Sequence, residues 1–134
     1  MRYHRYMAMN ERAAERLDES AGEVYAHLFQ ALAEPTRLAI LQHLASGEHR
    51  VRDLVRHMGF AQSTVSKHLG FLAECQLVRA RSAGRASWYS LAQPERLSTI
   101  ITATEELLGA TGARVVLCAH LRNPQVTTTE QKEK

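Results

Sequence analysis

Two apolar periodicities separated by a glycine break leave the stretch from Val51 to Leu72 few folds to choose from. Val51, Leu54, Val55 and Met58 recur as one face of a short helix, and Gly59-Phe60 interrupts it. Beyond the break Val65, Leu69 and Leu72 repeat at helical spacing again, while Gln62, Ser63, Thr64, Ser66 and Lys67 place small polar groups and a cation on the other face. The pattern predicts two helices joined by a tight turn, the second shaped to lie in a DNA groove. Leu77 to Ser82 and Arg85 to Leu91, on either side of Ala83-Gly84, then predict a basic β-hairpin, or wing.

The flanks are expected to be helical. Glu11 to about Ala33 carries Ala, Leu and Val at mixed helical spacing. Glu34-Pro35-Thr36-Arg37 opens a second helix, with Pro35 at an early position where its missing N–H costs little, and Leu38, Leu41 and Leu44 carry it to Ser46-Gly47. Pro94 opens a long helix in which Leu97, Ile100, Ile101, Thr104, Leu107 and Leu108 form one stripe, ending near Gly109 or Gly112. That stripe is the expected dimer interface, because a 134-residue chain is too short to cover both its core and a terminal helix pair. The resulting expectation is a mainly α, winged helix-turn-helix homodimer: a loose arm at 1–10, the domain with its dimerising helices at 11–122, and a disordered Thr-, Glu- and Lys-rich tail at 123–134.

Charge agrees with a nucleic-acid partner. The chain's formal net charge is +3, yet between Glu48 and Trp88 seven basic residues (Arg50, Arg52, Arg56, Lys67, Arg79, Arg81, Arg85) face three acidic ones (Glu48, Asp53, Glu74), so the positive charge gathers where the groove-reading elements would lie. Base reading is expected from Gln62, Ser63, Thr64, Ser66 and Lys67, and phosphate contact from Arg79, Arg81 and Arg85, with His68 as a phosphate-facing or packing residue. The Ser or Thr usually found as cap before such a helix is Ala61 here. Two distant cysteines make no disulfide framework, no apolar run approaches a membrane span, and the first ten residues hold no signal core, so a cytoplasmic location is expected.

Three segments carry a family resemblance: Leu32-Ala33-Glu34-Pro35-Thr36-Arg37-Leu38-Ala39-Ile40-Leu41, Ser63-Thr64-Val65-Ser66-Lys67-His68-Leu69, and Gly84-Arg85 followed by Trp88-Tyr89. In this order and spacing, from about Phe29 to Leu108, the chain resembles the ArsR/SmtB family of bacterial metal-responsive repressors. The resemblance implies a homodimer that binds double-stranded operator DNA and releases it when an inducer binds.

The departures from the family constrain the inducer. Where arsenite-type and many cadmium-type members carry two thiolates in a Glu-Leu-Cys-Val-Cys-Asp-Leu segment, this chain has Glu48-His49-Arg50-Val51-Arg52-Asp53-Leu54, and arginine does not bind a cationic metal. Where zinc- and nickel-type members place Asp and His on the long helix, it has Gln93, Glu95, Glu106 and Gly109. The pattern of the cadmium- and lead-sensing actinobacterial branch is partly kept. Its first recognition-helix cysteine falls on Phe71, its second is Cys75, and Cys118 resembles the C-terminal ligand, with His120 two residues on. The resemblance thus implies a metal inducer at Cys75 and Cys118, and with His120 placed to supply a nitrogen the donor set suits a soft or borderline ion such as cadmium, lead or zinc. His27, His43, His49 and His57 have no partner at ligand spacing and are expected to be ordinary surface or core histidines. Two alternatives stay open: a repressor without metal, governed by thiol oxidation or a partner, and, more remotely, a small cysteine-dependent enzyme, which the missing orienting group near Cys118 and His120 disfavours.

Overall fold

The computed structural model describes residues 11–113 and Leu117, with side chains from residue 19 onward. The chain runs α1 (Glu11–Leu32), α2 (Pro35–Ala45), β1 (His49–Arg50), α3 (Val51–Met58), α4 (Gln62–Glu74), β2 (Val78–Ala83), β3 (Ala86–Leu91) and α5 (Pro94–Ala110). The expected arm, the tail, Cys118 and His120 lie outside the described residues.

Each expected element forms. Pro35 stands in the first turn of α2, where Glu34 caps it by accepting the Arg37 backbone N–H at 2.8 Å. Gly59 ends α3 in the left-handed conformation at φ 75°, which only glycine adopts without cost. The wing is a six-pair antiparallel ladder from Val78↔Leu91 to Ala83↔Ala86, closed by Gly84 at φ 63°. One strand was not expected: His49 and Arg50 pair with Tyr89 and Trp88, giving a sheet of order β1-β3-β2. Two residues carry no period, so only the tertiary pairing reveals them.

Ile40 and Leu41 of α2, Leu54 of α3, and Val65, Leu69 and Leu72 of α4 are completely buried, and Leu97 and Ile101 of α5 close the same core. This corrects the dimer stripe. Leu97 and Ile101 lie inside the protomer, because the first two turns of α5 pack onto its own core, whereas Thr104 and Leu107 are exposed and Ile100 and Leu108 half-buried. The uncovered apolar surface continues onto α1, where Val24, Tyr25 and Phe29 are 69%, 63% and 56% exposed. Between the two helices lies an apolar groove of about 520 Å³ lined by Phe29, Leu32, Ile100, Thr104, Leu108 and Leu117, among others.

Candidate nucleic-acid interface and thiol site

The polar face of α4 follows from its buried one. With Val65, Leu69 and Leu72 fixed inward, Gln62, Ser63, Ser66 and Lys67 are exposed and Thr64 is half-buried at the edge. No side chain caps Ala61, so the first backbone N–H groups of the helix stay open to an outside acceptor such as a phosphate.

His68 belongs to a different environment. It is half-buried, with Nδ1 3.2 Å from Arg37 and 3.8 Å from Glu34, so it packs α4 onto the start of α2. Arg37 is the hub of that corner: its guanidinium donates to the Ala31 and Gln30 carbonyls at 2.9 and 2.6 Å, tying off the end of α1, and lies 4.5 Å from the centre of the Phe71 ring.

The wing arginines are not equivalent. Arg81 is held by Glu48 through three contacts of 2.7 to 3.1 Å and flanks the Trp88 ring, while Arg79 donates to the Ala92 carbonyl at 3.3 Å. The Arg81 bond holds the Glu48 carboxyl below its ordinary range. Arg85 stands exposed at the tip, and with Arg50, Arg52 and Gln62 it lines a groove of about 450 Å³ between the wing and the start of α4. Arg50 and Arg52, part of the basic surplus but not expected as contacts, thus join the candidate phosphate-facing surface. Arg50 stacks on Trp88 at 4.9 Å and binds Asp53, whose carboxyl these bonds hold at about 2.

The structure gives the histidines partners that spacing along the chain hides. His43, His49 and His57, from α2, β1 and α3, bring their rings together with centroids 5.8 to 6.3 Å apart. Burial pushes the His43 pKa down, and its two neighbours push it further. No group of three or more His, Cys, Asp or Glu side chains among the described residues is arranged to hold a metal ion. His27, from α1, meets Cys75: Sγ lies 3.4 Å from Nδ1 and 3.7 Å from the His27 carbonyl oxygen.

Cys75 is fixed by the end of α4. The Gln76 N–H donates to Ala73 and the Leu77 N–H to Leu72, both at 3.0 Å, and Leu72 and Leu77 are buried together, the pairing of a Schellman end. Gln76 takes the left-handed position at φ 58° that glycine usually fills. Burial raises the Cys75 thiol pKa and Glu74 raises it further, against the opposing pull of Arg37, so the sulfur is held as a thiol. Cys118 and His120, its expected partners, lie outside the described residues.

Comparison with known proteins agrees with this architecture. Residues 34–80 match the family described as bacterial regulatory protein, arsR family. The chain is 35% identical over 96 residues to a probable mercury resistance operon repressor of Streptomyces lividans, covering 72% of this chain and 76% of that protein. It is 38% identical over 64 residues to an arsenical resistance operon repressor of Staphylococcus aureus, covering 48% and 62%. Among solved structures, the homodimeric winged helix-turn-helix DNA-binding domain of a possible ArsR-family regulator from Mycobacterium bovis superposes with a TM-score of 0.59 at 32% identity, covering 69% of this chain and 90% of that one. No helix among the described residues is long and apolar enough to cross a membrane. The motif, the wing and the basic groove thus sit on a chain that belongs to the arsR family of bacterial regulatory proteins, a DNA-binding winged helix-turn-helix transcriptional repressor and not an enzyme.

Proposed function

We propose that this repressor binds a palindromic operator as a homodimer and releases it when a thiophilic divalent ion, cadmium, lead or zinc, binds at Cys75 together with Cys118 and His120. The observation that carries the DNA half is the exposed polar face of α4 beside the Arg52–Arg85 groove. Two such faces related by a two-fold axis would address half-sites about 10 bp apart. The uncovered apolar surface of α1 and α5 supports the dimer, which the M. bovis relative also forms. The inducer half is supported by Cys75 at the end of the reading helix and by relatives named for mercury and arsenical resistance. A ligand that pulls on that helix end biases the two reading heads, and coupling of about 1–3 kcal/mol weakens DNA binding roughly 5- to 150-fold.

Gel-shift titration tests both halves. Lys67→Ala and Arg85→Ala weaken operator binding, and the loss of each phosphate contact reduces the salt slope by about 0.9. Arg81→Ala does less, because Glu48 already occupies that guanidinium. Leu107→Asp, exposed in the protomer, gives folded monomers in sedimentation that no longer bind the operator. Cys75→Ser and Cys118→Ser abolish metal-driven release. Release by both variants at the wild-type metal concentration places the inducer site elsewhere.

A further inference from the structure

The sulfur-to-nitrogen distance between Cys75 and His27 has a specific chemical meaning. A zinc–thiolate bond of about 2.3 Å and a zinc–imidazole bond of about 2.0 Å, opened to the tetrahedral angle, set sulfur and nitrogen about 3.5 Å apart. Cys75 Sγ lies 3.4 Å from His27 Nδ1 and 3.9 Å from Nε2. Without an ion the same spacing accommodates a thiol–imidazole hydrogen bond, so an ion takes a place already prepared by the pair.

The two groups come from different elements, each held independently. The Schellman end of α4 fixes Cys75. The His27 ring packs on Phe71 with centroids 5.0 Å apart, one turn before Cys75 on the same helix. His27 is exposed and Cys75 half-buried, so an ion reaches them from solvent without opening the core.

We propose that His27 and Cys75 form a two-ligand half-site for a borderline or soft divalent cation, which bridges α1 to the end of the recognition helix within one protomer. This rests on the reading of the chain as a metal-responsive repressor and adds a ligand to it from the element that carries the uncovered apolar surface. On binding, the Cys75 S–H bond breaks and its proton goes to solvent, the thiolate and an imidazole lone pair bond to the ion, and no electron is transferred. Neutral imidazole and thiolate are the ligand types this class of ion prefers. The Arg37 guanidinium is the nearby cation that opposes the ion, and Glu74 is the nearby anion that favours it. Two coordination positions remain, for water or other donors. The inducer signal then passes directly between the reading helix and α1.

The test uses the full-length chain, titrated with cadmium(II) and with zinc(II). Cadmium binding is followed by thiolate-to-metal absorbance, and the histidine ring resonances are followed in a nitrogen–proton spectrum. His27→Gln, an exposed change, should lower the affinity for both ions by at least about tenfold, the lower end of what losing even a supporting group costs a metal site. In the wild type, zinc should move the His27 ring signals, and Cys75→Ser should abolish that shift. Wild-type affinity in His27→Gln together with unmoved His27 signals overturns the half-site, while loss of absorbance in Cys75→Ser would still uphold the metal-responsive reading. Loss in His27→Gln with none in Cys118→Ser upholds the half-site and removes the C-terminal ligand. A wild-type chain that binds neither ion overturns both.

Discussion

The two helices of the DNA-reading motif are secured in opposite ways. At the start of α3 the Asp53 carboxylate accepts the Arg50 backbone N–H at 2.9 Å, and at its end Gly59 supplies the left-handed residue; its one completely buried side chain is Leu54. Nothing caps the start of α4, and its end forces Gln76 to φ 58°, yet Val65, Leu69 and Leu72 are completely buried. Local chemistry therefore defines α3, and core packing defines α4. The difference suits their tasks: a reading helix with an uncapped N-terminus leaves N–H donors for DNA, and its apolar face then has to hold it in place.

The largest effect expected from this contrast lies in the core. Leu69→Ala should lower the unfolding free energy by about 2–5 kcal/mol in denaturant melts, well beyond any change at a helix end. A loss smaller than that of the best cap variant would break the comparison.

Next is the cap of α3. Asp53→Ala should cost about 1 kcal/mol near neutral pH. The folded-state pKa of Asp53, about 2, lies below its ordinary 3.8. Its stabilisation is therefore complete above about 3.8 and disappears as pH falls through about 2. Wild type and variant should converge in urea midpoints across that window, and a constant gap would show that the carboxylate charge contributes nothing.

Repairing the ends of α4 should act in the other direction. Ala61→Ser supplies the absent cap and Gln76→Gly relieves the left-handed backbone, each raising stability by about 1 kcal/mol or less. The two should then diverge on DNA: Ala61→Ser competes for the N–H groups open to phosphate and weakens operator binding, while Gln76→Gly leaves it unchanged. Equal operator affinity for Ala61→Ser and wild type would show that the uncapped end is not a phosphate site.

The smallest effect belongs to the histidine cluster behind α3. The His43 pKa is depressed from 6.5 by burial and by its two histidine neighbours, so the unfolded chain takes up the proton more readily. The stability it contributes is full above about 6.5 and declines as pH drops below that value and through the lower folded one. His43→Gln should flatten this decline between about pH 8 and pH 5 in thermal melts, and an unchanged slope would assign the acid sensitivity elsewhere.

What could be read from the chain alone was whatever depends on near neighbours in sequence. The spacing of Val51, Leu54, Val55 and Met58, the Gly59 break, the Val65-Leu69-Leu72 stripe, the Gly84 turn and the Pro35 and Pro94 starts fixed the helices, the wing and the outward face of α4, because periodicity and backbone restriction are local properties. Only the tertiary structure decided which side chains from distant elements meet. It turned His68 inward to Arg37, tied Arg81 to Glu48 and left Arg85 free, placed Leu97 and Ile101 inside the protomer, and brought His27 to Cys75 across 48 positions of sequence. Those pairings arise from how the helices cross over a shared core, and no period in the sequence records a crossing.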